Sequence, residues 1–186
     1  MDPLIQQSLA SFNPISLETL NQKAEMLDRI DNKYILTGQR LQPAFAALTE
    51  FFDILEIDEK RAFHYSSRYF DDDERRGYYD HHQRRRRKRC KVRVRHYVDA
   101  DISFLEVKLK EQRSMTAKRC LAIDKPQIAL DDLNMDFVDA CYQESYAESF
   151  GKKLVPVIVV EYQRITLVAK QGGERLTIDT KIGFTA

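Results

Sequence analysis

The sequence predicts an α+β fold: an antiparallel β-barrel or tunnel of about eight strands with two or three flanking helices. Three observations point there. The run KRCKVRVRHYVDADISFLEVKLK at 88–110 reads as two strands joined by a short Asp-rich turn. Basic residues recur on one alternating face of several other extended segments. Stretches with helical spacing separate those segments.

In the first strand of that run Lys91, Arg93, Arg95 and Tyr97 share a face, and Val92, Val94, His96 and Val98 share the other. In the second, Glu106, Lys108 and Lys110 alternate against Leu105, Val107 and Leu109. Strand side chains point alternately to opposite faces, so each strand has one apolar and one charged face. Like charges on neighbouring strands repel. A multiply charged anion would relieve that, with Arg matching phosphate oxygens through its planar fork and Lys acting as a compact charge. A carboxylate such as Glu106 among them could hold a metal ion that bridges phosphates. A solvated outer face is the competing reading for any one strand, and recurrence argues against it.

Length and composition set the frame. With 186 residues the chain suggests one domain, 1–186, whose residues 1–25 form a helical lead-in. A net charge of +1 conceals segregation into RRRRKR at 84–89 and DDDE at 71–74, so net charge does not argue for nucleic acid. Cys90, Cys120 and Cys141 form no CxxC or Cys/His metal spacing; they read as reduced, small buried hydrophobes in a cytoplasmic protein. No segment has the length and apolarity of a membrane span, and the N-terminus lacks a signal pattern.

Taken in order, Asn13 to Ser16 is a turn ending in an N-cap, followed by a short helix through Leu17, Leu20 and Ala24. Residues 26–36 switch to a strand with Arg29, Asp31 and Lys33 on one face, although Leu27 breaks the alternation. Residues 39–52 are helical, with Pro43 acceptable only in the first turn. Strands follow at 53–58 and 62–70, then a loop, a helical turn at 78–83 with His81 and His82, and the basic run. Beyond the central pair come a strand at 115–123 carrying Lys118 and Arg119 and a helix at 128–150 that Gly151 ends. A strand at 155–168 holds Glu161 and Arg164, and one at 174–179 puts Arg175, Thr177 and Asp179 on one face. The Tyr and Phe residues read as core or core edge, with no stacking platform. A barrel lined by such basic faces would be a polyanion tunnel.

The segments DRIDNKYIL (28–36), SRYFDDD (67–73), YYDHHQRRRRKRCKVRVRHY (78–97), FLEVKLK (104–110), VEYQRITLV (160–168) and ERLTIDT (174–180), in this order, resemble the VTC domain. That is the polyphosphate polymerase branch of the triphosphate tunnel metalloenzyme, or CYTH-like, superfamily. The resemblance implies a tunnel of antiparallel strands that binds triphosphate with Mg²⁺ or Mn²⁺. It also implies a transferase passing the γ-phosphate of ATP onto a polyphosphate chain. By motif position Lys33 matches the first-strand lysine and Arg29 the arginine before it. Arg93 and Arg95 match the RxR pair, Lys108 the lysine of the ExK strand, and Arg164 and Arg175 the late-strand arginines. Lys33, Arg93, Arg95 and Lys108 are the catalytic set; Arg29, Lys110, Arg164 and Arg175 join them in holding phosphate. Glu106, Asp179 and, more weakly, Glu161 are the metal candidates. Asp31 stands where many superfamily members carry Glu, and the final strand and helix of the family are expected to be absent after Ala186. An open edge there would favour a homodimer or a partner strand. Two alternatives compete: a module that binds polyphosphate, triphosphate or inositol phosphate without turnover, and, less favoured, RNA binding through Arg84 to Arg89.

Overall fold

The computed structural model describes residues 3–23, 32–75, 77, 88–110 and 116–186. Among them are eight strands and four α-helices, and the strands form a mostly antiparallel sheet. The chain is α+β, as its alternation implies. It divides into two compact units, residues 1–63 with 163–180 and residues 64–162 with 181–186.

In the first unit, helices α1 (Pro3–Ala10), α2 (Leu17–Lys23) and α3 (Gly38–Leu48) accompany strands β1 (Pro14–Ile15) and β2 (Phe52–Leu55). Ser16 caps α2, its Oγ accepting from the Thr19 amide at 3.1 Å. β1 pairs with β2 in parallel, and β2 pairs antiparallel with the C-terminal part of β7 (Val155–Ala169), which also pairs with β8 (Arg175–Thr185). The core consists of Leu9, Phe12, Phe45, Ile54, Ile165 and Leu167, with Phe12 meeting Phe45 edge-on at 6.1 Å between ring centroids.

Several expectations change here. Residues 32–36 are not in a strand; Tyr34, Ile35 and Leu36 are exposed, so that segment has no buried face of the kind that pins a strand. Residues 24–31, with Arg29 and Asp31, lie outside the described residues. Pro43 lies inside α3, beyond its first turn. It is on the exposed side, where the carbonyl it leaves without an intrahelical donor can turn to water. β2 stops at Leu55 because Asp58 and Glu59 take positive φ in a turn that Ile57 and Lys60 bridge.

In the second unit, strand β7 neighbours β3 (Phe63–Asp71), and β3, β4 (Cys90–Tyr97), β5 (Ile102–Lys110) and β6 (Thr116–Ile123) follow as successive antiparallel neighbours. A 3₁₀ turn, Val98–Ala100, with Asp101 left-handed, joins β4 to β5. Asp99 ties that turn to β3 by accepting from the His64 amide at 2.6 Å. Helix α4 (Asp132–Tyr146) covers the apolar face, packing Val138 and Cys141 onto Phe70, Val92, Val94, Leu105, Val107 and Leu109. The helix is shorter than expected at both ends. Asp131 caps it by accepting from the Asn134 amide at 2.9 Å, and Ala147, not Gly151, takes the left-handed conformation that ends it. Residues 78–87, with His81, His82 and Arg84 to Arg87 of the basic run, lie outside the described residues.

No helix among the described residues is long and apolar enough to cross a membrane.

Candidate functional site

Helix α4 claims one face of β3 to β6, and the alternation of the strands delivers Arg93, Arg95, Glu106 and a row of lysines to the other. The register arranges that second face in rows running across the strands. One row places Lys91, Lys108 and Lys118 side by side on β4, β5 and β6. The next holds Tyr69, Arg93, Glu106 and Cys120 on β3 to β6, and the one after it Ser67, Arg95, Phe104 and Ala122. Tyr65, Tyr97 and Ile102 make the next. Adjacent strands are separated by about 4.8 Å, so the three lysines of the first row stem from backbone only about 10 Å wide. The face thus grades from a lysine end to an aromatic end, with two arginines between.

Glu106 occupies the middle and is 1% exposed. Its Oε2 accepts from Arg93 Nε at 2.6 Å, with Arg93 Nη2 against the same oxygen, and its Oε1 meets Lys118 Nζ at 2.5 Å. Burial on its own would push the Glu106 carboxyl up. Arg93, Lys118 and Arg95 together outweigh that and hold it below the usual carboxylate range. Burial likewise works against the Arg93 charge, but Tyr69 and Glu106 more than compensate, and its pKa lies above the ordinary value. Arg93 Nη1 also donates to the Tyr69 hydroxyl at 2.8 Å.

Arg95 is buried and held by neutral partners. Its Nε donates to Ser67 Oγ at 3.3 Å, its Nη2 donates to the Tyr162 hydroxyl at 3.0 Å, and its guanidinium lies 5.5 Å from the Tyr65 ring centroid. Tyr65 stacks on Tyr162 at 5.3 Å, and Tyr97 meets Phe104 edge-on at 5.9 Å. Among the described residues of β4 to β6, Lys91, Lys108, Lys110 and Lys118 join the two arginines on this face, with the carboxylate of Glu106 in its middle.

A family model for the VTC domain matches residues 28–186. The chain belongs to the VTC domain family. The VTC domain is the polyphosphate polymerase domain of the CYTH-like tunnel superfamily. No curated protein matches the chain.

Of the VTC site residues expected from sequence, the second unit brings together Arg93, Arg95, Glu106, Lys108 and Lys110. The first unit holds Lys33, Arg164, Arg175 and Asp179. Lys33 and Arg175 are exposed, and Arg164 and Asp179 form a two-pronged ion pair, with Nε and Nη2 each 2.7 Å from a carboxylate oxygen. Glu161 is exposed, and Arg29 lies outside the described residues.

Among the described residues the carboxylates do not build a protein cage for Mg²⁺ or Mn²⁺. Both oxygens of Glu106 and both of Asp179 already face cations, and no cluster of three or more Asp, Glu, His or Cys residues occurs among the described residues. A divalent ion would have to compete with Arg93, Lys118 and Arg164 for these oxygens.

Sequence reading gave Tyr65, Ser67, Tyr69 and Tyr162 no role on the charged face, and left Lys91 and Lys118 out of the site. The alternation of Tyr65, Ser67 and Tyr69 on β3, in step with the basic alternation of β4, carried the signal. Lys118 and Arg119, adjacent in sequence, have opposite tasks: Lys118 meets Glu106, while Arg119 pairs with Glu144 of α4 on the far side. Cys120 is exposed rather than buried, because its register partner is Glu106 on the polar face.

Proposed function

We propose that the polar face of β3 to β6 binds a triphosphate or polyphosphate chain, and that the protein transfers the γ-phosphate of ATP to the end of such a chain. The row Lys91, Lys108 and Lys118 carries this reading. Cations gathered side by side on neighbouring strands make a positively charged strip to which a flexible polyanion is electrostatically matched. Arg93 and Arg95 add planar donors for successive phosphate oxygens. In the transfer, a terminal oxygen of the acceptor chain forms a bond to the γ-phosphorus as the bond to the β-bridging oxygen breaks, and ADP leaves. Such a reaction needs positioning and charge neutralisation rather than a covalent nucleophile. Mg²⁺ or Mn²⁺ belongs to this reading as an ion carried in on phosphate oxygens, as is common for Mg²⁺.

The test is ATP turnover to ADP and polyphosphate by the whole chain, with Mn²⁺, compared with Lys108→Ala. Loss of a charge-assisted contact worth about 1.5–3 kcal/mol predicts roughly a tenfold to hundredfold fall in kcat/KM. Turnover unchanged in Lys108→Ala, or neither polyphosphate formation nor triphosphate hydrolysis in the parent, would remove the proposal.

The engagement of Glu106 and Asp179 by cations favours a second reading, a module that binds the anion without turnover. Tripolyphosphate binding that persists where ATP turnover is nil would establish it.

A further inference from the structure

The sequence offers Glu106 as a metal ligand. We propose instead that Glu106 is a positioning residue: it fixes Arg93 and Lys118 as a preset pair of anion-binding groups, and Lys118 thereby joins the residues that hold phosphate. The inference rests on the reading of this face as a phosphate site.

Donor accounting carries it. A guanidinium has five N–H groups and an ammonium three. Arg93 turns Nε, and one side of Nη2, to Glu106, and gives Nη1 to the Tyr69 hydroxyl. That leaves an N–H on each terminal nitrogen, the edge that grips two oxygens of one phosphate. Lys118 gives one N–H to Glu106 Oε1 and keeps two. Glu106 thus satisfies the inner side of each cation and leaves the outer side able to donate. Its position makes this possible. It lies opposite Arg93 on β4, one row from Lys118 on β6, and is buried, so its two oxygens are fixed and separately assigned. Without it, Arg93 and Lys118 would repel each other, and their long side chains would spread over many rotamers. The Lys118 side chain is 38% exposed, accessible enough to meet a ligand.

Positioning and bulk charge act oppositely on the same substitution. Removing the Glu106 charge makes the face more positive, which favours any anion, but it frees the two cations, which disfavours only an anion that needs their geometry. The experiment is calorimetric titration of the full chain with tripolyphosphate and, separately, with citrate, a trivalent anion of different shape. Parent, Glu106→Gln and Lys118→Met are compared in buffer containing a metal chelator and again in buffer with Mn²⁺, with circular dichroism as a check on folding.

The expected result for Glu106→Gln is tripolyphosphate affinity reduced roughly tenfold while citrate affinity holds or rises. Lys118→Met, on an edge strand, loses tripolyphosphate affinity by a comparable factor, and it alone decides the matter should Glu106→Gln fail to fold. A fall of both anions by the same factor in Glu106→Gln overturns positioning in favour of a general structural role. An unchanged preference for tripolyphosphate without metal, with loss only of its enhancement by Mn²⁺, overturns it in favour of metal ligation. A parent chain that binds neither anion removes the phosphate reading itself, and this role with it. That outcome differs from a parent that binds and a variant that keeps its preference.

Discussion

Arg93 and Arg95 are two residues apart on one face of β4, yet they are held by opposite means. Arg93 leans on a buried carboxylate and a phenol, whereas Arg95 leans on a serine, a tyrosine hydroxyl and a tyrosine ring. Arg95 is buried, donates to the Ser67 and Tyr162 hydroxyls and feels Glu106 only at longer range than Arg93 does, so it is the more exacting electrostatic demand on the site. The cysteines separate in the same way. Burial raises the Cys90 thiol to about 12, and Cys141 is raised for the same first reason, while Cys120 is exposed beside the charged face. A raised thiol pKa means the unreactive protonated form persists through pH 8. Iodoacetamide at that pH is therefore expected to alkylate Cys120 first and to leave Cys90 and Cys141 largely unmodified in the folded chain, as read by peptide mass spectrometry. Cys90 modified as fast as Cys120 would contradict the burial described here.

At the scale of elements, the pairing of β4 with β5 does most to build the site. One register puts Arg93 across from Glu106 and, on the opposite face, Val92 across from Val107 and Val94 across from Leu105. A slip of one residue would exchange the faces and drive arginines into the core under α4. The core residues therefore hold the site in place from the opposite face of the sheet. Leu105 is fully buried, and Leu105→Ala is expected to cost about 2–5 kcal/mol in denaturant unfolding. Leu133→Ala, at a position 78% exposed on α4, should stay within about 0.5 kcal/mol of the parent. Equal effects of the two would contradict the assignment of faces.

The same element explains what was legible beforehand. β4 and β5 alternate without interruption, so their boundaries, their faces and the grouping of Arg93, Arg95, Lys108 and Lys110 follow from spacing alone. The 32–36 segment did not follow, because apolar residues such as Tyr34 and Ile35 suggest burial whether or not the chain finds something to bury them against. The pairing of Glu106 with Lys118 was also hidden. It depends on the register of β6 against β5, and nothing in either strand alone fixes which residues stand opposite. The aromatic lining failed for another reason: Tyr is at home in a core, at a core edge or against a guanidinium, and only its neighbours decide which.

For the molecule as a whole, the near-balance of charge is misleading about function. A net charge of +1 coexists with a face where, among the described residues of β4 to β6, six cations accompany the carboxylate of Glu106. Acidic residues elsewhere cancel the sum; Glu144, for one, is spent on Arg119 beside α4. Membership of the VTC domain family and this segregation converge on a polyphosphate-related role.

In the proposed function these strands present their cations to a phosphate chain. Titration of tripolyphosphate into the whole chain at two salt concentrations, for the parent and for Arg93→Ala, tests it most directly. The account predicts saturable binding by the parent that weakens as salt rises, and a loss of roughly tenfold or more in Arg93→Ala. No binding by the parent, or binding that Arg93→Ala leaves intact, would contradict it.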